Sequence, residues 1–297
     1  MSNAYTGTTH LFSTPYLTLD EFKNAPTAID ISNLVFNSQD PDVQDAELSN
    51  VIARASSWVD TYCNQVLAAT TEQEQQRTRI NADGTIRLHP RYNPIIALTS
   101  FQYGNPSTQL QTLSDCSIAW IEDSEIIVPY ANLSLTYSSQ GALQFGFPTS
   151  PRVETYIKYS YVAGYANTTI VTATAGQTSL TVASGTGITA GLTLKIYDGY
   201  SSEFVTVDST YTFGSTTIPL TNALVNTHTT GISISALPPA VKEATILATT
   251  AMLKVRGDNA MVMSISTSAG QAVPGADKIG SDMALAQELL MPYRRVR

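Results

Sequence analysis

The sequence has little charge and few of the residues from which reactive centres are built. Only 13% of its 297 residues are charged, and it contains two cysteines, three histidines and two tryptophans. Two cysteines in a chain this long make no disulfide framework. Cys63 falls in a helical pattern and Cys116 in a β region, and both are expected as reduced thiols in apolar surroundings. His10, His89 and His228 lie far apart with no second ligand at helical or hairpin spacing, so no metal site is expected. No apolar run reaches the length that spans a bilayer. The opening MSNAYTGTTH has no basic region leading into an apolar core, so the chain is expected to be made and to stay in a cytosol.

Familiar catalytic patterns are missing as well. There is no Gly-x-Ser-x-Gly elbow for a nucleophilic serine. Gly185-x-Gly187-x-x-x-Gly191 comes near the dinucleotide fingerprint, but no helix follows to receive a pyrophosphate, so these read as turn glycines. Asp40 and Asp42 flank Pro41, where capping of the next helix accounts for them without a calcium ion. Asp198 and Glu203 could meet across a hairpin, as a carboxylate pair would in a glycosidase, although solvated turn acids are the simpler reading. The expectation is a protein that is no enzyme, with no catalytic, cofactor-binding or metal residues.

What the sequence does have is 43% hydrophobic residues, enough for a sizeable core. Twenty-four Asp and Glu against sixteen Lys and Arg give a net charge of -8, which disfavours attraction to a phosphate backbone or an anionic membrane. Thr18 and Glu21 form a capping-box signal with Leu17 and Phe22 as a hydrophobic staple. Pro26 ends that short helix. Asp42 opens a longer one with Leu48, Val51, Ile52, Ala55, Val59, Tyr62 and Val66 at helical spacing.

From Gln75 the pattern turns to β. It predicts a turn at Asn81–Gly84, strands at Thr85–Leu88 and Ile95–Tyr103, and a hairpin of Ile118–Ile121 with Glu125–Val128 around Asp123-Ser124. Val153–Val162 alternates, placing Val153, Thr155, Ile157, Tyr159 and Tyr161 on one face.

Residues Tyr165–Ala236 are rich in Thr, Ser and Gly and carry a weak internal repeat. Gly176, Leu180 and Val182 recur as Gly214, Ile218 and Leu220, and Gly191 recurs as Gly231. Strands near Ser179–Val182, Thr193–Tyr197, Glu203–Val207, Thr217–Leu220 and Gly231–Ser235 would close a small sandwich or barrel, with Asp198-Gly199 as its best hairpin turn. A helix then runs from Pro239 to about Arg256. Residues 259–280 show no regular period, and a last helix is expected from about Asp282. The reading is an α+β chain: residues 1–164 and 237–297 form one helical domain with a small β-sheet, interrupted at 165–236 by an inserted all-β sandwich or barrel-like domain.

Several segments resemble the bacteriophage head-to-tail connector family, the head completion or adaptor proteins. They are Tyr16-Leu-Thr-Leu-Asp-Glu-Phe22, the helix from Leu48 to Asn64, Arg87–Pro90 with Pro94-Ile-Ile96, Tyr159–Gly164, Leu237–Ala244 and Leu289–Arg295. Their order carries the resemblance more than any one motif, and the β insertion departs from the family's small members. The resemblance implies a virion neck protein: a homo-oligomeric ring, usually of twelve copies, docked beneath the portal protein and facing a tail or stopper protein. Genome DNA would pass through its lumen without specific binding, with no membrane involved. It also implies that the C-terminal end engages the portal, which singles out Tyr293, Arg294, Arg295 and Arg297, the densest basic cluster in the chain. Met261, Val262, Met263 and Ile265 are a second set of candidate assembly contacts, being apolar residues in a passage without regular period. The alternative from another class is a virion-associated glycan-binding or glycan-hydrolysing tail or baseplate protein, with Asp198 and Glu203 as its acids.

Overall fold

The computed structural model describes residues 15–295 except 28, 33, 36–37, 80, 82–83, 105–109, 130–135, 138–142, 145–154 and 257–273. Its contacts divide the described residues into two units, one holding Ala69–Gly164 and the other residues 15–68 and 165–295. The mixture of helices and several separate sheets makes the chain α+β, as its periodicities predict.

In the 69–164 unit, strands β1 (Thr70–Thr78), β3 (Ile95–Gly104), β4 (Gln111–Thr112) and β9 (Thr155–Ala163) form a sheet in the order β1-β9-β3-β4. A second sheet has the order β2-β6-β5, from β2 (Thr85–Leu88), β5 (Trp120–Glu122) and β6 (Glu125–Pro129). Two short strands, β7 (Thr136–Tyr137) and β8 (Leu143–Gln144), pair with each other. Ile86, Leu88, Ile126 and Val128 of the smaller sheet share one core with Phe101, Tyr103, Ile157, Tyr159 and Tyr161 of the larger. The alternation read in β9 holds, since Thr155, Ile157, Tyr159 and Tyr161 are buried while the residues between them stay half-exposed. Val153 lies outside the described residues. Asp123 and Ser124 both adopt positive φ, the conformation of a two-residue hairpin turn between β5 and β6.

Two expectations change here. The β region starts at Thr70 rather than Gln75, because β1 (TTEQEQQRT) has no apolar residue and therefore no hydrophobic period to read. It works as a polar edge strand, where side chains of this kind discourage pairing with another chain. Ile118 closes a 3-10 turn at Cys116–Ile118 instead of beginning a strand, with Asp115 accepting the Ser117 N–H at 2.8 Å.

In the other unit, α1 (Leu19–Lys23) has the full capping box, with Thr18 accepting from the Glu21 amide and Glu21 accepting from the Thr18 amide. Helix α2 (Pro41–Cys63) is capped by Asp40, whose carboxylate accepts the Asp42 N–H at 3.0 Å, and it ends at Asn64 in the left-handed region. Leu48, Val51, Ile52, Ala55 and Val59 are buried as their spacing predicts, while Tyr62 and Val66 are only half-buried. Tyr16 fastens the chain before α1 to this helix. Its N–H donates to Ser56 Oγ at 3.0 Å, and its phenol donates to Asp60 while accepting the Leu67 N–H at 2.8 Å. Helices α3 (Pro239–Arg256) and α4 (Pro274–Leu290) pack on each other and on α2. Helix α4 begins eight residues earlier than its apolar positions suggest, led by a proline at its first position.

The same unit contains a six-stranded sheet in the order β13-β12-β15-β10-β11-β14. Its strands are β10 (Asn167–Thr172), β11 (Ser179–Val182), β12 (Thr193–Tyr197), β13 (Glu203–Thr206), β14 (Thr217–Pro219) and β15 (Ser233–Ser235). The two edges meet again at a Val207–Leu220 bridge, with the Asp208 N–H donating to Pro219 O at 2.9 Å and the Thr221 N–H to Thr206 O at 2.9 Å. The sheet thus curls into a small barrel around Ile170, Leu180, Ile188, Leu194, Ile196, Ile218 and Ile234.

Exchanging β10, β11 and β12 with β13, β14 and β15 reproduces the strand order, so the faint sequence repeat is a pseudo-twofold in the barrel. Two of the three equivalent strand pairs are neighbours: β11 pairs with β14, where Leu180 lies opposite Ile218, and β12 lies beside β15. The repeated glycines share a left-handed conformation, at φ 81° and 83° for Gly176 and Gly214 and at 78° and 95° for Gly191 and Gly231. Strand β10 carries too few apolar positions to be recognised from sequence, and it is central in the sheet.

Candidate functional site

Of the four C-terminal candidates, Tyr293, Arg294 and Arg295 lie on one well-tied segment, and Arg297 lies outside the described residues. After α4, a 3-10 turn at Met291–Tyr293 redirects the chain toward the end of α2. There Gln65 Nε2 donates to Tyr293 O at 2.9 Å, and the Arg295 N–H donates to Cys63 O at 2.9 Å. The Arg294 guanidinium stands 5.5 Å from the centre of the Tyr62 ring while remaining exposed. Tyr293 packs half-buried against the core of α2, α3 and α4. Cys63 beneath this segment is buried, and its thiol is pushed up to about 12 by burial first, with Asp60 adding to the shift. Cys116, half-buried, is raised by burial as well. Met261, Val262, Met263 and Ile265 lie outside the described residues.

The acids of the hydrolase alternative do approach one another, with a histidine between them that sequence reasoning had set aside. His228 is fully buried, its Nδ1 2.8 Å from Asp198 Oδ2 and its Nε2 2.8 Å from Glu203 Oε1. Glu203 also accepts the amides of Val225 and Asn226, at 3.0 and 2.9 Å. Burial pulls the Glu203 carboxyl up, but those two amides and His228 outweigh it and hold it below its ordinary value. A glycosidase acid needs the opposite shift, so Glu203 is a poor proton donor here. The cluster ties the β12–β13 loop to the segment before β15. That loop is wider than the predicted Asp198-Gly199 turn, because a 3-10 turn at Gly199–Ser201 is inserted.

The Gly185–Gly191 passage is built from turns. Gly187 and Gly191 have positive φ, and at Gly185 a Cβ would sit 2.2 Å from Ser215 O, so a side chain is excluded there by contact. Among the described residues no group of three His, Cys, Asp or Glu side chains is placed to hold a metal ion. No helix among them is long and apolar enough to cross a membrane.

A cleft of about 410 Å³ opens between α1, α3 and the end of β12, a site the sequence did not reveal. Its floor is Lys242, 4% exposed, whose ammonium donates to Glu21 and, at 3.1 Å, to Ser233 Oγ. That ammonium also lies 3.9 Å from the centre of the Tyr197 ring. Burial holds the Lys242 ammonium below the usual lysine range against the opposing pull of Glu21. The same environment pushes the Tyr197 phenol up to about 12, burial first and Glu21 second. On the cleft wall, Lys195 sits 4.7 Å from the Tyr197 ring and 5.6 Å from the Phe204 ring, with no carboxylate partner among the described residues. The one available signal was the polar stripe Lys242, Thr245 and Thr249 on the otherwise apolar face of α3.

No protein-family model matches the chain, and no curated protein does. Among solved structures, the chain is similar to one in the neck of an empty GTA particle, computed with C6 symmetry. The two are 12% identical over 96% of this chain and 95% of that one, with a TM-score of 0.36.

Proposed function

We propose that the protein is a structural subunit of a virion neck. It joins copies of itself into a ring beneath the portal, links capsid to tail and continues the DNA channel. The observation that carries this reading is the anchored basic end. Tyr293 and Arg295 are tied through their backbones to the close of α2, so the exposed Arg294 is presented from a fixed platform in a chain with a net charge of -8. Pre-ordering of this kind lowers the entropy lost on docking, and a guanidinium suits an acidic partner surface. The order of elements behind the resemblance to connector proteins adds support, since a capped short helix, a long helix, a strand pair and a Pro-led helix follow one another in the fold as well. Acidic composition fits a channel wall that repels phosphate and lets DNA slide. Twelve copies, a tail or stopper protein on the far side and a bracing role for the β barrel complete the proposal.

Arg294→Glu tests it. The variant should keep its helical and β circular-dichroism signature and attach to portal-bearing capsids about tenfold more weakly or worse. Attachment equal to that of the unaltered protein overturns the reading of this end. Truncation after Met291 is a poorer test, because it also removes backbone groups that pack on α2.

A further inference from the structure

The barrel's two halves differ at one buried position. Gly191 and Gly231 set the register between them, and three residues before each stand Ile188 and His228, in the sequences Ile-Thr-Ala-Gly-Leu and His-Thr-Thr-Gly-Ile. Their surroundings match: the Leu192 N–H donates to Thr189 O at 3.2 Å, and the Ile232 N–H to Thr229 O at 3.4 Å. Ile188 is fully buried in the barrel core, and His228 is only 3% exposed. The fold therefore accepts an aliphatic side chain at this place, and burying an imidazole there instead requires partners for both ring nitrogens. Asp198 and Glu203 supply them from the two ends of the β12–β13 connection, which joins one half of the barrel to the other.

Each of those 2.8 Å contacts needs a proton between its nitrogen and its oxygen. Glu203 has none to give: Oε1 accepts the Asn226 N–H, Oε2 accepts the Val225 N–H, and the carboxyl is held below its ordinary value. Nε2 is thus a donor. At Nδ1 the proton belongs either to the ring or to the Asp198 carboxylate, which is 29% exposed, and an imidazole is a stronger base than a hydrated carboxylate. Both protons then sit on the ring. Among the described residues no other titratable group hydrogen-bonds to it. Ala173 meets His228 through the backbone, accepting its N–H at 3.0 Å, while Lys195 and Tyr197 of β12 line the cleft beside Lys242.

We infer that His228 is an imidazolium clamped between Asp198 and Glu203, and that the clamp is a pH-sensitive latch on the β12–β13 connection. Loss of one ring proton as the pH rises leaves a nitrogen lone pair facing a carboxylate oxygen, so that contact turns repulsive and the connection is released. The latch holds two exposed aromatic side chains in place: Tyr200, wholly exposed, on the 3-10 turn, and Phe204, 71% exposed, in β13. On the acid side, protonation of Glu203 removes the opposing charge, so the latch is closed in a window between the two events. It acts within one copy and does not depend on how copies assemble.

Chymotrypsin cleavage after Tyr200 and Phe204 in the full chain reads the latch, because cleavage follows the population of the opened connection. Rates are taken relative to a free peptide spanning Ile196–Asp208, which cancels the protease's own pH dependence. From about pH 7 to about pH 9 the relative rate in the unaltered chain should rise about tenfold or more. His228→Ile, which copies the Ile188 half of the barrel, should keep the circular-dichroism spectrum and lose the rise. Asp198→Asn keeps the ring but gives it a carboxamide that can accept from a ring N–H or donate to a bare nitrogen. Either ring form is then held, and the rise should shrink below about threefold. A relative rate that stays flat in the unaltered chain overturns the latch. A rise of the same size in either variant overturns it too, because the pH dependence then belongs to another group. Should His228→Ile fail to fold, Asp198→Asn decides between these outcomes.

Discussion

In the 69–164 unit one carboxylate gathers the hydroxyls of two buried tyrosines, whereas in the other unit a buried cation and anion are closed up together. Glu74 on β1 accepts the hydroxyls of Tyr159 and Tyr161, at 3.1 and 2.6 Å, and the Arg91 amide at 2.8 Å. Both phenols are driven well above their ordinary range by burial, with Glu74 adding to it, so they remain neutral donors. The side chains of Lys242 and Glu21, by contrast, are only 5% and 6% exposed, and each is the main compensation for the other's charge. The first arrangement loses a hydrogen bond when one member is removed. The second leaves a charge stranded in low dielectric.

The largest effect should therefore come from Glu21→Gln. The carboxamide of that variant still accepts the Thr18 amide, so the cap survives while Lys242 loses its counter-charge, and the cost should be about 3–5 kcal/mol in denaturant unfolding. Adding Lys242→Met should recover most of it. If Glu21→Gln costs no more than a single hydrogen bond, the contrast between the units fails. Glu74→Gln should be milder, at about 1–3 kcal/mol, since a neutral amide still accepts one of its donors.

The smallest effect should appear in the pH dependence. Glu203 has a folded value below its ordinary 4.5, so its contribution is fully present above that pH and is lost as the pH falls through the folded value. Replacing it with Gln should flatten the acid limb of a stability profile below about pH 4.5. A profile that keeps its slope there would show that other carboxylates dominate acid unfolding.

Much of the backbone plan was legible because it depends on near neighbours. The Thr18–Glu21 box, the α2 stripe, the alternation in β9 and the paired turn glycines each express a local conformational preference that needs no tertiary partner. The first half of β1 and the whole of β10 are not legible for the converse reason. Their residues give no hydrophobic period, and the sheet holds them through backbone pairing with β9 and with β15 and β11. The candidate sites divide along the same line. The basic C-terminal cluster is visible as a run of arginines, but its anchorage on Cys63 and Gln65 depends on how α4 returns to α2.

By itself, then, the sequence determined the main helices, the strands with a hydrophobic period and the repeat that becomes the barrel's pseudo-twofold, since dihedral preference and burial period act over a few residues. Tertiary structure alone decided that Glu21 meets Lys242, 221 residues away, and that His228 stands between Asp198 and Glu203. Such contacts depend on which chain segments the cores bring together. Once formed, they persist because a buried polar group left unpaired costs more than the pairing does.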